Sequence, residues 1–147
     1  MCRRSQEPGL GKWNLPSGFL EKGETLEEGA ARETFEESGV VVDPGDLELH
    51  AVINMVAIDQ VAIAFRIEVA TKPAVSPGPE CLEAGFLAEG DIPPEDLAWR
   101  IYLGNEPQRY FSEIRLREYT ICLGTLGSSQ RKEFKSREYG IKSVRNV

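Results

Sequence analysis

The chain has a single histidine, His50, and its three cysteines, Cys2, Cys81 and Cys122, lack the close pairing of zinc ribbons and fingers. A zinc site of the His/Cys kind is therefore not expected, His50 reads as an ordinary surface or strand residue, and the thiols are expected to be reduced. No apolar run approaches the ~20 residues that cross a bilayer, so no membrane partner is expected. Met1-Cys-Arg-Arg leads into no apolar segment, so no signal peptide is visible and a cytoplasmic location is expected. Bases are scarce: 17 Lys and Arg stand against 24 Asp and Glu, a net charge of −7. That balance argues against a general nucleic-acid binder, whose affinity rests on neutralising phosphates with a basic face. Small anionic ligands stay compatible if a cation screens them. The 147 residues, 41% hydrophobic, suit one compact domain with a buried core.

What is abundant is acid, and it is concentrated. Residues 18–40 carry seven glutamates, in a loop and one short helix. The helix is bounded by a capping box, Thr25 with Glu28, and by Gly39 where a left-handed residue is wanted, so it runs from about Leu26 to Ser38. Glu33, Glu36 and Glu37 are related as i, i+3 and i+4 and share one face, within about 100° of arc. Most charge runs are solvated surface, but this one fits that reading badly. Like charges at that spacing repel, and two stand near the helix C-terminus, where the macrodipole disfavours anions. Leu26, Ala30, Ala31 and Phe35 make no single apolar stripe either. A bound divalent cation explains the patch better.

These residues resemble the Nudix box: Gly18, five residues, Glu24, seven residues, Arg32-Glu33, two residues, Glu36-Glu37, one residue, then Gly39 and an aliphatic, Val40. All seven fixed positions are filled, and a chance match at a given start is on the order of 10⁻⁸. The one departure is Thr34, where the box has an aliphatic residue. Gly11-Lys-Trp13-Asn-Leu15-Pro16 before it, and Gly78-Pro79-Glu80, Asp91-Ile92-Pro93 and Leu97-Ala98-Trp99-Arg100 after it, are similar to one branch of Nudix hydrolases. Its bacterial members carry a zinc ribbon ahead of the domain, and related plant enzymes hydrolyse FAD or ADP-ribose. The resemblance spans about residues 2–111.

It implies an α/β (α+β) fold, a Nudix α/β/α sandwich with a mixed sheet. It also implies a strand ahead of Cys2-Arg3-Arg4, and no ribbon or such strand is seen here. An open sheet edge near the N-terminus is then expected, and with it a homodimer or strand exchange. Arg3 and Arg4 read as a solvated end. Along the chain, Leu10–Leu15, Leu47–Met55, Val61–Val69 and Glu83–Ala88 read as strands, the third mostly buried. A helix is expected from Pro93 and Pro94 to about Leu103, and another over Tyr110–Leu123. The domain is expected to span 1–123, and the polar run 124–147 to be a mobile tail.

The implied chemistry is hydrolysis of a phosphoanhydride in a nucleoside diphosphate derivative such as ADP-ribose, FAD or a similar dinucleotide, with Mg²⁺ or Mn²⁺ as cofactor. By the resemblance Glu33, Glu36, Glu37 and the carbonyl of Gly18 hold the metal, while Glu24 and Arg32 support them as an ion pair between loop and helix. The general base is a box glutamate or a later carboxylate, Glu80 or Glu83. Trp13, Phe19 and Phe65 offer rings for stacking, although aromatics near strands more often belong to the core. A Nudix-fold module that senses a nucleotide without turning it over is the second class left open.

Overall fold

The computed structural model describes residues 1–91, 94–98, 106–126 and 134–140. In chain order the elements are β1 (Cys2–Arg4), β2 (Trp13–Asn14), α1 (Leu26–Ser38), β3 (Glu48–Met55), β4 (Gln60–Arg66), β5 (Cys81–Ala84), α2 (Glu106–Leu116), β6 (Thr120–Leu126) and β7 (Phe134–Gly140). The fold is α+β with a three-stranded sheet, β2-β1-β5, and a four-stranded one, β4-β3-β6-β7. Two compact units hold them, Met1–Glu48 with Ile67–Ile101, and Leu49–Arg66 with Tyr102–Val147.

In the first unit β1 runs antiparallel to both neighbours, with Arg3 opposite Trp13 on one side and Arg4 opposite Cys81 on the other. The expected open edge at the N-terminus is therefore not there: Trp13–Asn14 covers one side of Cys2–Arg4 and Cys81–Ala84 the other, leaving no unpaired edge on that strand for a second chain. Arg3 and Arg4 are strand residues rather than a solvated end; Arg3 Nε donates to Gly11 O and Arg4 Nε to Pro8 O, each at 2.8 Å. Cys2, Trp13, Val40 and Leu97 form the buried apolar part of this unit.

Helix α1 has the caps its sequence demands. Thr25 Oγ1 accepts from the Glu28 N–H at 3.2 Å, the Glu28 carboxylate accepts from the Thr25 N–H at 2.7 Å, and Gly39 closes the helix at φ 68°. Thr34 turns its hydroxyl back to the Ala30 carbonyl at 2.7 Å, so the polar atom at that box position is satisfied within the helix. The last carbonyls of a helix have no partner in it. Here the Ser76 N–H donates to Ser38 O at 2.9 Å and the Gly78 N–H to Glu37 O at 3.1 Å.

In the second unit β3 is parallel to β6, Ala51 facing Cys122, and β6 is antiparallel to β7. Ala51, Ile53 and Cys122 form its buried cluster, with Met55, Ala62 and Ala64 against it. β4 lies at a sheet edge and has no fully buried residue, unlike the mostly buried strand its apolar sequence suggests. The expected helix over Tyr110–Leu123 ends at Leu116, and its last part is strand β6, because Thr-Ile-Cys-Leu pairs with β3 and β7. Strand β7 occupies part of the expected tail; 127–133 and 141–147 lie outside the described residues. Of the helix expected after Pro93, residues 94–96 form one 3₁₀ turn, and 99–103 lie outside the described residues.

His50 is buried on β3 rather than at the surface. Arg109 Nη2 lies 2.9 Å from its Nε2 and donates to its carbonyl at 3.0 Å. Glu113, also buried, accepts from Arg109 Nη1 at 2.5 Å, Arg66 Nη1 at 3.3 Å and Thr120 Oγ1 at 2.7 Å.

Candidate active site

Arg32 is the centre of the acidic cluster. Its Nε and Nη2 donate to the two oxygens of Glu24 at 3.1 and 2.9 Å, a two-pronged pair that ties the loop to the helix. The same Glu24 carboxylate accepts from the Glu21 N–H at 2.6 Å, and Arg32 Nη2 also donates to the Phe19 carbonyl at 3.0 Å. Arg32 Nη1 then reaches Glu33 at 2.7 Å and Glu36 at 3.0 Å. One cation thus offsets three carboxylates. Hydrogen bonds from Arg32 and from the Glu21 N–H, with the arginine charge, lower the Glu24 pKa, and the carboxylates raise that of Arg32.

Gly18 explains the approach of the loop to the helix. A Cβ there would stand 1.9 Å from Glu33 Oε1, so only glycine leaves the carboxylate where it is. Glu37 faces a different environment from Glu33 and Glu36. Burial pushes its carboxyl up to about 7, against the hydrogen bond from the Ser17 backbone; the charges of Glu33 and Glu80 raise it further and that of Arg4 opposes them. Glu80 sits exposed in the turn before β5, near enough to Glu37 for its charge to be felt, while its carbonyl accepts from the Ser5 N–H at 3.0 Å. Glu83 is engaged by Arg3 at 3.5 Å. Trp13 is buried, Phe65 half-buried, and Phe19, beside Gly18, is 78% exposed.

The oxygens of Glu33, Glu36 and Gly18 make an all-oxygen donor set, the kind that suits hard divalent cations, and the vacant Cβ position at Gly18 keeps the space against Glu33 clear. The residues therefore fit such an ion. Among the described residues the trio whose ligand atoms all lie within 4.8 Å is a different one, Cys2, Glu37 and Cys81, and the three helix glutamates are not gathered that tightly. That thiol pair escaped the sequence reading, since 79 positions separate the two cysteines and only the register of β1 on β5 joins them. Burial pushes the Cys2 thiol up to about 12 and raises that of Cys81.

The model of the NUDIX domain matches residues 1–106. A crystal structure of a NUDIX hydrolase from Nitrosomonas europaea superposes with a TM-score of 0.74 at 39% identity, covering 84% of this chain and 68% of that one. The chain belongs to the Nudix superfamily. A MutT/nudix family protein from Enterococcus faecalis gives a TM-score of 0.52 at 26% identity, over 56% of this chain and 33% of that one. A MutT-like protein of Streptomyces ambofaciens is 36% identical over 91 residues, 62% of this chain and 54% of that protein. Mouse oxidized purine nucleoside triphosphate hydrolase is 54% identical over 35 residues, 24% of this chain and 22% of the mouse protein. The chain thus spans about half or less of these two relatives. No helix among the described residues is long and apolar enough to cross a membrane.

Proposed function

We propose that this Nudix domain is a metal-dependent pyrophosphohydrolase that cleaves the phosphoanhydride of a nucleoside diphosphate derivative into a nucleoside monophosphate and a phosphorylated remainder. The observation that carries the reading is the convergence of Glu24, Glu33 and Glu36 on Arg32 beside Gly18. Glu33, Glu36, Glu37 and the Gly18 carbonyl would hold Mg²⁺ or Mn²⁺, which when bound neutralises phosphate charge and acidifies water. Arg32 and Glu24 keep the ligating helix and the glycine loop in register, so the carboxylates are placed before substrate arrives. Glu80 takes the proton of the attacking water; the new P–O bond forms as the anhydride P–O bond breaks, and the leaving phosphate departs with the bridging oxygen. Nucleophile and phosphoanhydride repel each other in water, so arrangement and charge supply the rate rather than covalent chemistry.

ADP-ribose, FAD and similar dinucleotides are the first substrates to try, and the name of the mouse relative adds oxidized purine triphosphates. The test is hydrolysis of that panel, with NADH and ordinary nucleoside triphosphates, by the 147-residue chain with Mg²⁺ or Mn²⁺ against Glu37→Gln. Metal-dependent release of a nucleoside monophosphate, lost in the variant, supports the hydrolase. A folded chain that binds a nucleotide and turns over none would be a sensing module instead.

A further inference from the structure

We propose that Cys2, Cys81 and Glu37 form a second cation site, one that takes a thiophilic divalent ion such as Zn²⁺ or Cd²⁺ at the sulfur side of the helix end. Their ligand atoms all lie within 4.8 Å of one another. Zinc held by two thiolates at about 2.3 Å in a tetrahedral arrangement sets its sulfurs about 3.8 Å apart, so closing the trio needs movements of an ångström or less. Three protein ligands leave a fourth position for water.

The register explains why the two thiols meet. Cys2 stands opposite Ala84 and Arg4 opposite Cys81, with a bulge after Arg3 that skips Leu82; because paired residues share a face and Cys2 and Arg4 are two apart on β1, Cys2 and Cys81 point to the same side of the sheet. The other side carries the Arg3–Glu83 pair. Cys2 Sγ lies 3.6 Å from the Glu37 carbonyl, which brings this face of the sheet against the end of α1. Cys2 and Cys81 are diagonal, not opposite. Both cysteines are free thiols whose sulfurs lie within 4.8 Å of each other and of a Glu37 carboxylate oxygen, so an ion placed among them would meet two sulfurs and an oxygen. Cys2 is 1% exposed and Cys81 half-buried, so an ion reaches the site past Cys81.

The consequence for activity rests on the proposed hydrolase; the site itself does not. A thiophilic cation that recruits Glu37 draws its carboxylate toward the two sulfurs and weakens its hold on the hard-metal set. Zinc or cadmium at stoichiometric amounts then inhibits Mg²⁺-dependent turnover, and a chelator restores it.

Binding is read first without substrate, by titrating the full chain with Cd²⁺ alone and following the ultraviolet thiolate-to-cadmium charge-transfer band. One equivalent with two-sulfur intensity is expected, abolished in Cys81→Ser and in Cys2→Ser, kept in Cys122→Ser, and weakened at least 10-fold in affinity by Glu37→Gln. Cys81→Ser is the decisive variant, because its half-buried side chain tolerates the change better than Cys2, and circular dichroism verifies that it is folded. Absence of a band in the wild type, persistence in Cys81→Ser, or loss in Cys122→Ser would each overturn the site. Where the chain hydrolyses a substrate, Cys81→Ser should keep Mg²⁺-dependent turnover yet resist Zn²⁺ at least 10-fold better than wild type. Equal inhibition of both overturns the regulatory consequence, whereas a silent activity assay beside a normal cadmium titration would count against the hydrolase alone.

Discussion

The Gly78 N–H donates to the Glu37 carbonyl at 3.1 Å, and a Cβ on Gly78 would stand 1.7 Å from the neighbouring Glu36 carbonyl oxygen. The loop thus completes the end of α1 by a backbone approach that no side chain permits. The obstructing atom belongs to a helical backbone and has nowhere to go. Gly78→Ala is expected to cost about 1–3 kcal/mol or more, the range of overpacked sites, because loop and helix must part and the carbonyl loses its donor. Urea denaturation of the metal-free chain measures it. A change under about 0.5 kcal/mol would mean that this approach is looser than described.

Gly18 is the contrasting case. Its absent Cβ would meet the Glu33 carboxylate at 1.9 Å, the far end of a flexible side chain, which can swing away. Gly18→Ala should therefore leave folding nearly intact and damage the site, weakening metal affinity about 10- to 100-fold as displaced ligands do. Thermal unfolding and metal titration together separate the two glycines, and a Gly18→Ala chain with normal metal affinity would mean that the Glu33 carboxylate need not stand against Gly18 to hold the ion.

How much of this was legible in the sequence depends on how local the cause is. The limits of α1 follow from Thr25, Glu28 and Gly39, all within one segment, and the structure reproduces them to the residue. The Glu24–Arg32 pair is equally local. In strand β6, Thr120-Ile-Cys-Leu is a short apolar run that suits helix or strand alike, and the pairing of the strand with β3 across 71 positions decides the matter. The role of Gly78, and the meeting of Cys2 with Cys81, have the same long-range origin. Neither leaves a periodic trace in the sequence.

The Glu37 carboxyl, pushed up to about 7 mainly by burial, fixes the sign of a pH effect. A folded-state value above the ordinary 4.5 means that the folded chain holds its proton more tightly than the unfolded one between those limits. The stability tied to that proton is complete below about 4.5 and lost as the pH rises through about 7. Metal-free wild type should thus lose stability relative to Glu37→Gln across that window, and Mg²⁺ or Mn²⁺ binding near pH 6 should release a proton. Calorimetry in buffers of different ionisation enthalpy counts that proton, and a buffer-independent heat would exclude it.

Glu113, buried between Arg66 and Arg109, makes a separate prediction about stability in the second unit. Glu113→Gln keeps the shape but leaves two guanidiniums without their carboxylate. Breaking a buried pair from one side costs about 3–5 kcal/mol, and chemical denaturation should show a loss of that order. Loss of less than about 1 kcal/mol would mean that the arginines find solvent or other acceptors.

Glu80 and Glu83 lie three residues apart around the start of β5, and their surroundings separate them. Glu83 is held by Arg3 at 3.5 Å, on the face of the sheet opposite Cys2 and Cys81. Its carboxylate thus lies on the face of the sheet turned away from the Glu37 end of α1, which packs on the Cys2 side. Glu80 is exposed in its turn, and its charge raises the Glu37 carboxyl, so of the two it is the one whose field reaches the helix glutamates. Glu80→Gln should lower turnover by ~10²-fold or more with little change in nucleotide affinity, the signature of a lost proton acceptor, whereas Glu83→Gln should leave turnover within a few-fold. Single-turnover rates with Mg²⁺ saturating separate chemistry from binding. Near-normal turnover in Glu80→Gln would move the base to a helix glutamate, and Glu37, whose carboxyl titrates near neutrality, would then be the residue to examine.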